Sequence, residues 1–557
     1  MPFRDKIKIL NKNRPPINEQ PPQSISYRSW GIILIVVLTT AALRIRLLEV
    51  PLERDEGGYA YTAQLILQGI PPFAQAYDMK MPGLYAVYVL ILVIFGQTLA
   101  GIHLGLLVIN AATIVLLFFL GRRLLDTTAG LMASASYAVM SLSQYVQGFS
   151  ANAEHLLLLP VLGGILLMLR AIESGRLRTF FGAGLLLGLA LAIKHHSMFF
   201  IAFAALYLFF SYFSRPANRW MRYLLEYTLF ALGAIIPFGL LCLGFLYLGL
   251  FDKFWFWLFE YLREYSSLIP FSAGLDILKL RVSGMAQASI PLWILAGIGL
   301  TALVWNRNTR KRSLFFSSFL LFSLLPIVPG YRFFPHYFVL ILPPVALLTG
   351  AAVSSIAALL AGYKSPVIRK ILPNLLAAGA ILYPLLVERA YLFRLSPNEI
   401  SRAAYGEGFP FPESMEIANY IKKHTLADDC IGILGSEPQI CFYARRRSAS
   451  AHIYVYPLMG KHKYARAMQL EMIQQIESAR PKFLVFVNMQ TSWTVQPGSE
   501  TLIFEWFRHY TRRHYRKVGV IDIISRDLTV YRWDDTAVGY APRSKRYILV
   551  FKRETKV

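Results

Sequence analysis

Apolar runs of roughly 17–25 residues, each able to cross a hydrocarbon layer about 30 Å thick, recur between residues 30 and 388. The first, Trp30 to Leu48, follows a stretch that is basic (Arg4, Lys6, Lys8, Lys12, Arg14) and then rich in Pro and Gln. A cleaved signal peptide would hold its apolar core closer to the charge and end on small residues, so this run reads as a retained helix. From about Arg389 the pattern changes to long polar stretches around short apolar ones. CIGILG (430–435) and KFLVFVN (482–488) read as buried strands on either side of a helix near 462–479, with TVYRW and RYILVF as further strands. The pattern predicts a polytopic α-helical membrane protein. It has a basic tail at 1–28, a membrane domain at 29–388 and a C-terminal α/β domain at 389–557 long enough to bury its own core.

Composition agrees: 55% of the 557 residues are hydrophobic and only 16% charged. A formal net charge of +25 would suit a nucleic-acid binder. The cations, however, cluster in short turns between apolar runs: Arg122-Arg123, Arg170 to Arg178, Arg215 to Arg222, Arg307 to Arg312 and Lys364 to Lys370. That distribution is the positive-inside signal and argues against a nucleic-acid partner. Cys242, Cys430 and Cys441 form no zinc spacing and no disulfide framework, and free thiols are expected.

With the basic turns in the cytoplasm, the first helix runs outward and places a polar loop, Pro51 to Pro82, outside. The stretch 83–120 makes one net return, with part of it re-entrant or lying at the interface. Spans near 131–149, 156–170, 180–193, 197–213, 223–249, 286–305, 313–329, 337–361 and 371–388 follow, giving about eleven crossings. The C-terminal domain then lies outside. Asp55, Glu56, Lys80, Glu154, His155, Lys194, His195, Arg332 and His336 all fall at this same outer face. Polar residues from separate turns that converge on one membrane face suggest a site assembled at helix ends.

Asp55 precedes a helical stretch, Glu56 to Gln68, and either caps it or serves as a general base toward an acceptor hydroxyl. Lys80 either snorkels beside the next span or neutralises a phosphate leaving group. Lys194 lies within an apolar run of more than thirty residues, where an unpaired cation is costly; Asp55 or Glu56 is its expected partner. Arg332 and His336, in the aromatic turn YRFFPHY, suit a sugar-phosphate. Glu154, His155 and His195 are candidate ligands for a divalent metal ion, although their spacing is not diagnostic. The segment FWFWLFEYLREY (254–265) reads as an interfacial aromatic belt or as an entry point for a lipid tail or sugar.

At these residues the chain resembles the polyprenyl-phosphate-dependent membrane glycosyltransferases of the C-type fold, which include protein O-mannosyltransferases and the lipid A aminoarabinose transferase. Asp55-Glu56 with GGYAY resembles the family's acidic motif. DMKMPG resembles its Lys-Pro-Pro loop, with Met81 in place of the first Pro. LGLALAIKHH and RFFPHYFVLILPPVALL resemble its later segments, and the likeness covers roughly residues 28–390. The resemblance implies a sugar donor on polyprenyl phosphate, with Asp55 matching the family's catalytic acid and Lys80 and Lys194 its lysines associated with the donor phosphate and the acidic motif. Met79 stands where the aminoarabinose enzyme has a glutamate, which weakens any transfer of that enzyme's metal site.

The reading is an inverting glycosyltransferase acting on an envelope glycan, lipid or protein hydroxyl at the outer face of the cytoplasmic membrane. Asp55 and Glu56 are its expected catalytic residues, and Lys80, Lys194, Arg332 and His336 its phosphate-binding ones. A transporter of lipid-linked sugars would scatter polar groups through the bilayer midplane. A ligase or polymerase using a diphosphate-linked donor would share the cationic face without needing the acidic loop.

Overall fold

A computed structural model describes residues 24–213, 219–266 and 269–554. Most of the predicted tail at 1–28, and residues 215–218 of the Arg215–Arg222 cluster, lie outside the described residues. The membrane domain is built from α1 (Tyr27–Arg46), α2 (Arg54–Leu67), α3 (Pro82–Phe95), α4 (Leu99–Leu124), α5 (Thr127–Met140), α6 (Ala153–Ser174), α7 (Leu177–Ile193), α8 (Met198–Phe213) and α9 (Trp220–Tyr247). It continues through α10 (Phe271–Ala288), α11 (Ile290–Trp305), α12 (Ser313–Leu324), α13 (Leu342–Leu360) and α14 (Leu372–Val387). Among the described residues, six helices are long and apolar enough to cross a bilayer: Tyr27–Arg46, Leu99–Leu124, Ala153–Ser174, His195–Phe213, Trp220–Tyr247 and Pro335–Leu360. The pair α10 and α11 passes the same test together but is bent by 98°. Four shorter apolar helices, Pro82–Phe95, Leu177–Ile193, Ser313–Ile327 and Leu372–Val387, complete the set.

The stretch 83–120 is two helices, not one continuous passage. Gly96, at φ 89°, ends α3, and the Thr98 side chain caps α4 by accepting from the Gly101 N–H. Arg44, buried near the end of α1, donates to the carbonyls of Ser141 at 3.0 Å and Gly148 at 2.7 Å. A buried guanidinium needs such acceptors, and here it holds the turn between α5 and α6 against the first helix.

The C-terminal domain carries a six-stranded mixed sheet in the order β2-β1-β3-β6-β4-β5. Its strands are β1 (Cys430–Leu434), β2 (Arg447–Ser448), β3 (Phe483–Asn488), β4 (Tyr515–Ser525), β5 (Leu528–Trp533) and β6 (Tyr547–Arg553). β1 pairs in parallel with β2 and β3, and the remaining pairs are antiparallel. Its helices include α15 (Phe411–Lys423), α16 (Gln439–Ala444), α17 (Ala465–Ala479) and α18 (Leu502–His514). β1, β3, β5, β6 and α17 match the sequence pattern. β2 is too short to leave a signal, and β4 is broken by register shifts at Lys517/Gly519 and Ile523/Ser525. All three cysteines are free.

This domain sits directly on the loop between α1 and α3. The Tyr443 hydroxyl accepts from the Leu52 N–H at 2.8 Å, and the Tyr61 hydroxyl from the Ser448 N–H at 2.8 Å. Gly57 and Gly58 make the close approach: a Cβ on Gly57 would stand 2.5 Å from the Gln439 Cβ, and one on Gly58 1.9 Å from the Tyr454 hydroxyl. The aromatic segment at 254–265 is partly covered by this domain, while Trp255 stays exposed. Phe254, Trp257 and Tyr261 are buried, Tyr261 against His462 and Phe256 against Tyr464 of the C-terminal domain.

Candidate active site

α2 starts differently from the sequence expectation. Its N-cap is Glu53, which accepts from the Glu56 N–H at 3.1 Å while Glu56 accepts from the Glu53 N–H at 3.3 Å, a reciprocal capping box. Asp55 therefore does not cap the helix. It lies in the first turn with its carboxylate free to meet other groups.

Asp55, Tyr59 and Lys80 form a triangle. The Lys80 ammonium donates to Asp55 Oδ2 at 2.7 Å and to the Tyr59 hydroxyl at 2.9 Å, and Tyr59 donates to Asp55 Oδ2 at 3.1 Å. Asp55 and Tyr59 meet because they are four residues apart on one helix face. Lys80 turns inward from its loop to reach them instead of snorkelling outward. Burial alone would push the Asp55 carboxyl up, but Lys80, with His336 and Lys194, holds it below the ordinary carboxylate range. Burial also opposes the Lys80 charge, yet Asp55 and Asp78 raise its pKa. Asp78, buried two residues before Lys80, is pushed up to about 7 by desolvation, against the pull of Lys80. It accepts from the Met79 N–H and the Tyr85 hydroxyl.

Glu56, one residue on, points elsewhere, as a helix step of about 100° requires. Its carboxylate accepts from the Ala151 N–H at 2.6 Å and contacts His103 Nε2 at 3.1 Å, while His103 Nδ1 donates to the Leu48 carbonyl. With these partners it ties α2 to α4 and to the turn before α6. The structure does not bring it to the Asp55 triangle.

A second ion pair stands beside the first. Lys194, at the end of α7, pairs with Glu154 in the first turn of α6, not with Asp55 or Glu56 as expected. The side chains of Lys194 and Glu154 are 9% and 1% exposed, against 18% and 22% for Lys80 and Asp55, so the second pair is the more deeply buried. The Lys194 ammonium also lies 4.5 Å from the centre of the Tyr337 ring. His336 Nδ1 contacts Gln147 Oε1 at 2.9 Å, and its ring stacks on Phe334. The Arg332 guanidinium stacks 3.7 Å from the Tyr265 ring centre and donates to the Tyr265 carbonyl at 3.3 Å. Tyr331 (φ 51°) and Phe333 (φ 42°), on either side of Arg332, occupy the left-handed region disfavoured for bulky residues. Strain of this kind tends to collect where a side chain must be aimed.

The metal candidates do not assemble. Glu154 is taken by the Lys194 ammonium, and the buried His155 ring nitrogens and His195 Nε2 have no hydrogen-bond partner among the described residues. No group of three or more His, Cys, Asp or Glu able to hold a metal ion occurs among those residues. Tyr59, Asp78, Gln147, Tyr265 and Tyr337 escaped the sequence reading. Tyr59 had a signal, its i,i+4 spacing from Asp55, and Asp78 and Tyr337 are near neighbours of residues already singled out.

Residues 80–240, which carry Lys80, Glu154 and Lys194, match the family described as dolichyl-phosphate-mannose-protein mannosyltransferase. No curated protein matches the sequence. The fold is similar to that of ArnT from Cupriavidus metallidurans in the apo state, at 13% identity and a TM-score of 0.57 over 94% of this chain and 98% of that one. The same protein bound to undecaprenyl phosphate gives 15% identity, a TM-score of 0.57 and the same coverage, 94% and 98%. The archaeal oligosaccharyltransferase AglB from Archaeoglobus fulgidus, in complex with an inhibitory peptide and a dolichol-phosphate, gives 12% identity and a TM-score of 0.51 over 92% of this chain and 75% of that one. The chain thus shares its fold with these membrane proteins along nearly its whole length, and the stretch that matches the mannosyltransferase family model carries both lysines.

Proposed function

We propose that the protein is an inverting glycosyltransferase that moves a sugar from a polyprenyl-phosphate donor to a hydroxyl on an envelope glycan, lipid or protein, at the outer face of the cytoplasmic membrane. The observation that carries this reading is the Asp55–Lys80 pair, partly open, with Lys194 and His336 close enough to act on the Asp55 carboxylate. A carboxylate stands beside two lysines, which matches a neutral nucleophile to be deprotonated and an anionic group to be released. The solved relative with undecaprenyl phosphate supports the lipid class of the donor.

In this mechanism the acceptor oxygen attacks the anomeric carbon from the side opposite the phosphate. The bond from that carbon to the phosphate oxygen breaks, its electron pair leaves with the polyprenyl phosphate, and the hydroxyl proton passes to Asp55. Lys80 links the two halves. While it sits on Asp55 it makes the carboxylate a weak base, and a donor phosphate that draws the ammonium away raises Asp55 basicity at the moment it is required. Glu56 holds the helix that aims Asp55 and makes no contact with the reacting atoms.

The test uses purified protein in lipid, offered matched monophosphate- and diphosphate-linked donors. Turnover is expected with the monophosphate donor and inversion at the anomeric carbon. Asp55→Asn should lower turnover by about a hundred- to ten-thousandfold, the usual cost of losing a general base, with donor binding retained. Near-normal turnover in that variant, or use of the diphosphate donor alone, would sink the reading.

A further inference from the structure

A second polar cavity lies at the other end of the membrane helices. α5 runs from Thr127 to Met140, next to the turn that holds Ala151, and its 14 residues span about 21 Å. α13 begins just after His336, and Ser355 lies 13 residues beyond Leu342, about 20 Å along the helix. Asp126 and Ser354-Ser355 are therefore at the face opposite the Asp55 triangle. A cavity of about 630 Å³ opens there between the start of α5, the turn from α11 to α12, and α13.

Its walls are of two kinds. Leu124, Leu125, Ala357 and Ala358 supply an apolar side, and Lys311 and Arg312, in the turn RNTRKR, supply two cations. Ser355 lines the same cavity at 1% exposure, and its hydroxyl has no hydrogen-bond partner among the described residues. A buried hydroxyl left without a partner costs about 1–3 kcal/mol, so a polar occupant accounts for it better than an apolar one. One carboxylate, Asp126, also borders the space. Its oxygens accept from the Ala129 N–H at 2.8 Å and from the Ser354 hydroxyl, which disperses its charge into the start of α5.

We propose that this cavity binds the phosphate headgroup of an anionic phospholipid from the leaflet opposite the active site. Lys311 and Arg312 neutralise the phosphate, the Ser355 hydroxyl donates to one of its oxygens, and the leucine and alanine wall receives the glycerol end. A basic turn alone is explained by membrane orientation, which requires neither a cavity nor an unpaired buried hydroxyl within it. A basic pocket between membrane helices is the geometry that retains anionic lipid.

Native mass spectrometry of the full chain, with phosphatidylglycerol or phosphatidylcholine added, reads the retained lipid directly. Wild type should retain one phosphatidylglycerol in preference to phosphatidylcholine. Lys311→Gln should weaken retention about fivefold, the effect of one cation near a phosphate, and Ser355→Ala should weaken it without removing a charge. Arg310→Gln, on the same turn but outside the cavity wall, should leave it unchanged. Equal loss in Arg310→Gln and Lys311→Gln would reduce the effect to general surface charge and overturn the proposal. So would equal retention of the two lipids, or displacement of phosphatidylglycerol by inorganic phosphate at equal concentration, which would make the ligand free phosphate. If Ser355→Ala fails to fold, the comparison of Lys311→Gln with Arg310→Gln still decides.

Discussion

At the two lysines, burial separates roles that look alike in sequence. The Lys194–Glu154 pair is nearly closed to solvent, and breaking a buried pair strands the remaining charge at a cost of about 3–5 kcal/mol. Lys194→Met should therefore lower both melting temperature and turnover, and adding Glu154→Gln should restore the melt without the activity. A double variant as unstable as the single one would show that the pair is not what stabilises this turn. Lys80→Ala leaves Asp55 partly open to water and able to take up a proton, so the fold should persist while use of the phosphate-linked donor falls. Asp78 gives a pH dependence of known sign. Its pKa, raised from 3.8 to about 7, means that the folded state binds more protons than the unfolded state between those values. This carboxyl therefore makes stability fall as pH rises through that window, with the loss complete above about pH 7. Asp78→Asn should raise the melting temperature at pH 8 and change it little near pH 4; a gain confined to acid would contradict the assignment.

Among the elements, α2 does the most to join the two domains. One face carries Asp55 and Tyr59, another carries Glu56, and the glycine pair between them receives the C-terminal domain. A methyl on Gly57 would press on the backbone of Gln439, at 2.8 Å from its N and 2.9 Å from its Cα, whereas one on Gly58 meets the Tyr454 side chain. Backbone yields less readily than a ring, so Gly57→Ala should expose the C-terminal domain to limited proteolysis more than Gly58→Ala does. The loop after α2 is held by the same domain. The Tyr77 hydroxyl donates to Glu471 at 2.8 Å and accepts from Lys253 at 2.8 Å, and the Tyr77 N–H donates to the Ala451 carbonyl at 2.7 Å. Lys80 follows three residues later, so the C-terminal domain and the aromatic segment together set where its ammonium stands.

For the whole molecule, the cationic turns and the Asp55 triangle lie at opposite ends of the helices, which is the arrangement that orients a chain in a membrane. Reporter fusions after Ser174 and after Tyr391 are expected to give opposite signals, the first cytoplasmic and the second outside. The same signal from both would place the triangle and the C-terminal domain on different faces, against the contacts that join them.

The apolar runs, the turns between them and the order of the polar motifs were legible in the sequence, because a membrane helix satisfies its own backbone and its signal lies within one segment. The strands CIGILG and KFLVFVN were legible for the same reason, as local runs of buried residues. The partners of the charged side chains were not. Lys80 reaches Asp55 across 25 positions, Lys194 reaches Glu154 across 40, and Arg54 reaches Glu437 across 383. Glu56 was grouped with Asp55 because adjacent letters look like one motif, yet a helix turns them to different faces. The aromatic segment at 254–265 reads as an interfacial belt or an entry point, and its packing on Tyr464 and His462, about 200 positions later, has no local signal. Sequence thus determined which segments are apolar and which polar residues lie in the turns between them, since periodicity and charge are local. Only the tertiary structure decided which of them meet, because that depends on the packing of helices far apart in the chain.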